Sequence, residues 1–344
     1  MTKLLDTDDI VPSARRQSFE LSTTFGKWIS LADSSKLSPG LWDRALAGPA
    51  HAFLVRQGKG VRRTLVNAVY QMCAGEGSRC SKDVLAIVEL IHAASLVVDD
   101  IEDESSQRRG GPTLHSQYGI PVALNTGCAF YFAALDMLGH LDWPSETLIQ
   151  AIRAVHRCLV VGHRGQALDL TVRVWDLRPT EIPLVVQEVT EKKTAALMAV
   201  CAQLGAMDAR AVIPQVQAAS KLGYSLGMLL QMLDDLGSFL RSERRDKGIE
   251  DLHHGRPVWP WAWLCEVVDE KFLVDLLQRA RNSSVTEDLQ QIISEIASEI
   301  ACVGRQAITQ LKVSALETAE KELGPSPALA SLWKLVDSME SSYV

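Results

Sequence analysis

Aromatic residues make up only 6% of the 344 residues, with 13 Pro and 22 Gly. That is thin turn punctuation for an all-β sandwich. Basic residues are also in short supply: 35 Lys plus Arg stand against 42 Asp plus Glu, a formal charge of −7. A general nucleic-acid or anionic-membrane surface is therefore not expected. The seven cysteines (Cys73, Cys80, Cys128, Cys158, Cys201, Cys265, Cys302) are odd in number, scattered, and form no CxxC pair. Most lie in apolar stretches as small buried hydrophobes, which argues against a disulfide framework and for a reducing compartment. No stretch reaches the ~18 uncharged apolar residues that a membrane span requires. The opening MTKLLDTDDIVPSARR has no unbroken apolar segment and is too acidic for a transit peptide, and the closing ESSYV is no prenylation box. Glycine-rich phosphate loops after a strand, solenoid repeats and low-complexity linkers are all missing. A soluble, cytoplasmic protein is the expectation.

What is present is a core. The chain is 47% hydrophobic and 22% charged, with mean hydropathy +0.04, so disorder is excluded. Apolar residues recur at three- and four-residue spacing almost everywhere after residue 40, and strict alternation is rare. This periodicity predicts helices at 61–75, 84–102, 121–139, 145–170, 181–206, 212–241, 257–266, 269–282, 285–320 and 327–341. The second is apolar nearly all round, which places it at the centre of a helical protein. Gly110-Gly111-Pro112, Asp142-Trp143-Pro144-Ser145, Arg178-Pro179-Thr180 and Gly324-Pro325-Ser326-Pro327 mark breaks, and Pro144 and Pro327 sit where a first helical turn tolerates proline. One all-α domain over 1–344 is expected, with 1–40 an N-terminal extension or helix.

The sharpest chemical signal is Asp99-Asp100-Ile101-Glu102-Asp103, four acids in five positions at the end of the most apolar helix. Asp99 and Asp103 lie one turn apart on one face, with Asp100 beside them. Like charges so placed repel, and acids at a helix C-terminus also oppose the helix dipole. Such a cluster calls for a cation, and magnesium, which takes carboxylates together with substrate phosphate oxygens, suits it. A second pair, Asp234-Asp235, closes another apolar run. Two such pairs facing each other across a bundle could clamp a diphosphate through several ions. Cations cluster despite the negative total: Arg56, Lys59, Arg62 and Arg63; Arg108 and Arg109; Lys192 and Lys193; Lys247 and Arg256. Lys59 and Arg62 share a helical face, and Arg suits bidentate phosphate contact.

From about residue 50 to 260 these blocks resemble the trans-type isoprenyl diphosphate synthases. The resemblance runs through Gly58-Lys59-Gly60-Val61-Arg62, Ile91-His92, the DDIED cluster, and Arg108-Arg109-Gly110-Gly111-Pro112-Thr113-Leu114-His115. It continues in Gly165-Gln166-Ala167-Leu168-Asp169, Lys193-Thr194, Gln231 with Asp234-Asp235, and Lys247-x-x-Glu250-Asp251-Leu252 with Gly255-Arg256. The stretch around DDIED is most similar to the eukaryotic-type geranylgeranyl diphosphate synthases. The resemblance implies an all-α helical bundle of the isoprenoid type, usually a homodimer, using Mg²⁺, with three ions expected. By position, Asp99, Asp100 and Asp103 would hold magnesium on an allylic diphosphate, and Asp234 and Asp235 would hold another ion. Arg108, Lys193 and Lys247 would contact the same diphosphate. Lys59, Arg62, His92 and Arg109 would bind the diphosphate of isopentenyl diphosphate, and Thr194 and Gln231 would line the reacting region.

The reaction implied is ionisation of the allylic C–O bond, attack of the isopentenyl double bond on the cation, and loss of a proton, with water kept out. Ala94 and Ser95, one turn before Asp99, are small, so a growing tail is not blocked there and a product of C20 or longer is expected. Ser238 stands where many relatives carry the last carboxylate of the second motif. Asp234-Asp235-Leu236-Gly237-Ser238 thereby also resembles the second metal motif of class I terpene cyclases. The acid that should follow four residues after the serine is missing, since that position is Ser242 and Glu243 is one place off. A cyclase on the synthase scaffold is the alternative; it would have little use for Lys59, Arg62, His92 and Arg109. The Trp-rich segment 256–263 has no account in sequence terms.

Overall fold

The computed structural model describes residues 20–28, 37–56, 58–283 and 285–343. Of the N-terminal extension expected over 1–40, only 20–28, which is helical, and 37–40 fall among them. The described chain is all-α apart from one hairpin in which Gln107–Arg108 pairs with Gly111–Pro112. Proline opens many of the helices: Pro39, Pro49, Pro121, Pro183, Pro214 and Pro260 all stand in a first turn. There its missing N–H is no loss and its fixed φ is already helical. Pro327 is the first residue of the last helix, and Pro144 immediately precedes its own, its carbonyl accepting from Leu148 N–H at 2.9 Å.

The chain divides into two compact units, Met1–Asn67 with Cys80–Ile152, and Ala68–Arg79 with Arg153–Val344. In the first unit the main helices are α1 (Val61–Ala74, continuing into the second unit), α2 (Lys82–Glu102) and α3 (Ile120–Gly139). Ser81 caps α2, its hydroxyl accepting from Val84 N–H at 3.2 Å, which satisfies one of the first-turn donors. The N-terminal half of α2 is buried nearly all round, as its composition implied. Its C-terminal half opens: His92, Ser95, Leu96 and Asp99, at three- and four-residue spacing, keep exposed surface. The other side of α2 packs along α3, where Phe130 meets Phe25 edge to face, with ring centroids 5.0 Å apart.

By length and composition α3 is long and apolar enough to cross a membrane, although Asp136 interrupts its uncharged run. Nearly half of it is buried inside the protein. Ile120, Leu124 and Phe132 form its uncovered apolar side.

The second unit takes up α4 (Ser145–Thr171) from Arg153 onward, then α5 (Ile182–Thr190), a π-helical turn at Glu191–Ala195, α6 (Ala196–Asp208) and α7 (Ile213–Leu240). There follow α8 (Arg245–His253), α9 (Trp259–Val267), α10 (Glu270–Asn282), α11 (Thr286–Leu323) and α12 (Pro327–Tyr343). Helix α7 packs against α6 and α11, and α9 packs against α5 and α11. The fully buried Trp261 and Trp263 of α9 belong to this core.

Candidate active site

At the end of α2 the acids part company. Asp100 falls on the buried side and is 1% exposed, whereas Asp99 and Asp103 retain exposed surface. Arg108 reaches Asp100 Oδ1 with Nε at 2.6 Å and Nη2 at 2.5 Å, and lies 3.6 Å from Asp99. Burial pushes the Asp100 carboxyl above the usual carboxylate range, further than Arg108 pulls it down. Burial alone would loosen the proton on Arg108, but Asp100, Asp99 and Asp103 outweigh it and hold the guanidinium more firmly charged. Arg108 thus answers all three acids. Asp100 Oδ2 is buried with no partner.

Arg108 is aimed by the hairpin it belongs to. Arg109 (φ +52°) and Gly110 (φ +72°) occupy the two central turn positions, both left-handed, the type I′ geometry that suits a tight two-residue hairpin. A non-glycine residue there costs about 1–2 kcal/mol, and Arg56 offsets it. Its Nη1 donates to the carbonyls of Pro112 at 2.6 Å and Arg108 at 3.3 Å. Arg109 returns the contact, donating to the Arg56 carbonyl at 3.3 Å with its guanidinium 5.5 Å from the Phe53 ring centroid. Arg56, one of the cations that sequence grouped with Lys59 and Arg62, is therefore a backbone clamp.

Arg62, on the first turn of α1, donates to His92 Nε2 at 2.9 Å. A guanidinium can only donate, so Nε2 accepts and the ring hydrogen sits on Nδ1. Burial first, then the charges of Arg62, Arg109 and Arg108, holds His92 well below its usual pKa and keeps it neutral. Nδ1–H is buried without a partner. Burial likewise lowers Arg109, with Arg62 and Arg108 adding to the effect. Arg62, His92, Arg108 and Arg109 thus form one positively charged cluster, and Lys59 is exposed just before Gly60 (φ +65°). Further back along α2, Ala94 is fully buried, while Ser95 is half-buried with its hydroxyl donating to the His92 carbonyl at 2.9 Å.

In the second unit Asp234 on α7 is ion-paired with both Arg244 and Lys247. Burial would raise its carboxyl, but Lys247 and Arg244 outweigh that and hold it below the usual range. Asp235, 2% exposed, has both oxygens engaged. Oδ1 accepts from Gln231 Nε2 at 2.7 Å and Oδ2 from the Trp259 backbone N–H at 3.1 Å. Burial still lifts it to about 6. Asp251, beside Lys247, is pushed by burial to about 7, and its Oδ2 is buried and unpartnered.

The π-helical turn carries Lys193 and Thr194. Lys193 Nζ donates to Asp169 Oδ2 at 2.6 Å, whereas Lys192 pairs with Glu188. The Asp169 carbonyl accepts from Arg256 at 2.5 Å. The Thr194 hydroxyl donates to Gln231 Oε1 at 2.9 Å, and the Trp259 indole N–H donates to Thr190 Oγ1 at 3.0 Å. These bonds run in a chain that starts and ends on the same helical stretch: Thr194 to Gln231, Gln231 to Asp235, Asp235 to Trp259, Trp259 to Thr190. Helix α7 approaches this turn so closely that a Cβ on Gly227 would lie 2.5 Å from the Ala195 Cα. The Trp-rich segment now has its role: Trp259 ties the second acid pair to the turn, and Trp261 and Trp263 anchor α9 in the core.

The sequence-predicted residues thus gather into two groups, one in each unit. Asp99, Asp100, Arg108, Arg109, Arg62 and His92 interact in the first; in the second Thr194, Gln231 and Asp235 are bonded in series, Asp234 pairs with Lys247, and Lys193 pairs with Asp169. Sequence reasoning gave no role to Asp169, Asp251, Arg244 or Trp259. The first two stood inside motif blocks already quoted; Arg244 had no signal beyond a basic run. Among the described residues no three His, Cys, Asp or Glu side chains converge into a cage for a metal. The donors present are all carboxylate oxygens, with Asp99 and Asp103 on the open side of α2 and Asp100 Oδ2 unsatisfied. That set fits a hard ion that takes one or two carboxylates and completes its shell with water and phosphate.

A family model of polyprenyl synthetases matches residues 43–296. Over 321 residues the chain is 28% identical to a geranylgeranyl pyrophosphate synthase of Eremothecium gossypii, covering 89% of this chain and 97% of that protein. It is 29% identical over 292 residues to a geranylgeranyl pyrophosphate synthase of Dictyostelium discoideum, covering 83% and 90%. A solved geranylgeranyl pyrophosphate synthase of Corynebacterium glutamicum, complexed with isoprenyl diphosphate and magnesium, superposes with a TM-score of 0.78 at 21% identity, over 98% of this chain and 99% of that one.

Proposed function

The chain belongs to the polyprenyl synthetase family, and on that premise we propose that it is a magnesium-dependent trans-prenyltransferase. It condenses isopentenyl diphosphate with an allylic diphosphate to give a prenyl diphosphate of C20 or longer. The observation that carries this reading is the cluster of Arg62, neutral His92 and Arg109 beside the acid motif. An enzyme that only ionises one prenyl diphosphate has no use for a second anion site.

Asp99, Asp100 and Asp103 would hold magnesium on the allylic diphosphate, and Asp234 and Asp235 would hold a further ion, for three in all. Bound magnesium supplies positive charge against the negative charge that builds on the leaving diphosphate. Arg108, Lys193 and Lys247 bind the same diphosphate and add to that stabilisation. Lys59, Arg62 and Arg109 hold the isopentenyl diphosphate, and His92 donates its Nδ1–H to it. Thr194 and Gln231, locked to one another, line the reacting region with fixed dipoles that need not reorganise as the allylic cation forms. The isopentenyl double bond attacks that cation, and the proton lost goes to the departing diphosphate.

The cyclase alternative is not favoured. Ser238 is fully buried, with its hydroxyl donating to the Asp235 carbonyl within its own helix at 2.7 Å, and the acid that should follow it four residues on is missing, since that position is Ser242. We further read the protein as a cytoplasmic homodimer with prenyl diphosphates as its only other partners. The free state of all seven cysteines supports the compartment, and the uncovered Ile120, Leu124 and Phe132 side of α3 supports the dimer.

The test is incubation with Mg²⁺ and farnesyl or geranylgeranyl diphosphate, with and without isopentenyl diphosphate. Longer diphosphates that form only when isopentenyl diphosphate is present are expected. Hydrocarbons or alcohols formed without it would overturn the proposal.

A further inference from the structure

The end of α12 packs against the segment that follows the second acid pair. Arg241, one residue past α7, donates through Nη2 to the Ser341 carbonyl at 2.9 Å. Gly237, two residues after Asp235, leaves so little room that a Cβ there would lie 2.5 Å from the Tyr343 carbonyl oxygen. The Tyr343 ring, 7% exposed, stacks under Arg244, whose guanidinium carbon is 4.2 Å from the ring centroid. Arg244 in turn is ion-paired with Asp234. Three separate contacts on the segment after Asp234 and Asp235 thus converge on residues 341–343.

We infer that Tyr343 is a positioning residue for diphosphate binding, holding Arg244 against Asp234 by stacking, so that the end of α12 is part of the working site. An arginine side chain has several rotatable bonds, and a flat guanidinium on a flat ring gives up much of that freedom in advance. Arg244 is about a quarter exposed (25%), so the ring and the Asp234 carboxylate together keep it from swinging into solvent. Gly237 leaves the room on this acid-bearing helix that the Tyr343 backbone needs to pass. The inference rests on the reading that Asp234 serves a magnesium-bound diphosphate.

Titration calorimetry of the full chain with inorganic pyrophosphate and Mg²⁺, alongside the KM for isopentenyl diphosphate, tests it. Tyr343→Leu weakens pyrophosphate binding roughly three- to tenfold and leaves that KM unchanged, a split that general loosening of the fold would not give. Tyr343→Phe, which keeps the ring, retains tight binding. Arg244→Gln tests the link from the other end and gives the same loss, and Tyr343→Leu adds nothing further in its background. Unaltered binding in Tyr343→Leu, or fully additive losses, overturns the inference. No pyrophosphate binding by the wild-type chain overturns the proposed function, and this inference with it.

Discussion

Arg108 grips Asp100 at a single oxygen, with Nε at 2.6 Å and Nη2 at 2.5 Å, while Asp99, one residue earlier, stays half-open at 3.6 Å. Adjacent acids of one motif therefore do different jobs. Asp100 is buried and paired, so Asp100→Ala leaves the partly buried Arg108 with only the more distant Asp99 and Asp103 to balance it and should cost about 2–4 kcal/mol of stability. Asp99→Asn and Asp103→Asn remove half-buried carboxylates on the open side. They should leave stability nearly unchanged and lower kcat by roughly a hundredfold or more. Urea unfolding beside steady-state kinetics separates the two; equal stability loss in all three variants would sink the distinction.

Asp251 gives the pH prediction. Its ordinary carboxyl value is 3.8, and burial lifts it to about 7 in the folded chain. Between those values the folded state keeps a proton that the unfolded state releases. Stability therefore falls as pH rises through this window, and the loss is complete above about 7. Asp251→Asn mimics the protonated form at every pH. It should be more stable than wild type at pH 8, by up to about 4 kcal/mol, with the gap closing toward pH 4. Urea titrations at pH 4, 6 and 8 check this, and a gap that widened on acidification would contradict it.

Much of this could be read from residues alone. The helices expected at 61–75, 84–102, 145–170 and 269–282 lie within two residues of those observed, because each buries one face and carries its own stop. The expected 181–206 helix is instead α5, a π-helical turn and α6. An inserted residue that widens one turn leaves apolar spacing nearly intact, so it is silent in a periodicity argument. Helix α8 (Arg245–His253) was missed because RDKGIEDLH is too polar to show a stripe. The Gly110-Gly111-Pro112 break was visible as a turn, but not that Arg109 would take a left-handed position in it. Among the charges, sequence could group Arg56 with Lys59 and Arg62 by proximity. It could not show that Arg56 spends its guanidinium on the carbonyls of Arg108 and Pro112. Ion-pair partners such as Arg244 and Asp234, ten residues apart across a helix end, depend on how the chain turns after α7.

Gly227 tests the close approach to the π-helical turn. A Cβ there would meet the Ala195 backbone at 2.5 Å, and backbone cannot swing aside as a side chain can. Gly227→Ala should force α7 away from the turn, costing about 1–3 kcal/mol and breaking the Thr194–Gln231 bond. A fall in kcat without a rise in the KM for isopentenyl diphosphate is expected. Wild-type kcat at reduced stability would show that the turn's register does not matter to the reaction.

Lys59→Ala should raise the KM for isopentenyl diphosphate by about tenfold and leave hydrolysis of the allylic diphosphate alone unchanged. The lysine is exposed, so its removal should not disturb the fold. If elongation is untouched in this variant, the isopentenyl diphosphate site is misassigned.

Product length turns on the difference between two small neighbours. Ala94 is fully buried, while Ser95 shares the open stripe of α2 with His92 and Asp99. Ser95 stands about one turn, ~5.4–6 Å, before Asp99, close to the length that one added prenyl unit extends a tail. A phenyl ring at 95 should occupy the path of a tail hanging below the diphosphate, so Ser95→Phe is expected to shift the product from C20 or longer to C15 with the fold intact. At Ala94 the same ring has no open side to enter. Ala94→Phe should overpack the α2 contact with α3 and cost about 1–3 kcal/mol or more. Chromatography of the products, read against urea unfolding of both variants, distinguishes a lining residue from a packing one. If Ser95→Phe leaves chain length unaltered, the tail does not run along this face of α2.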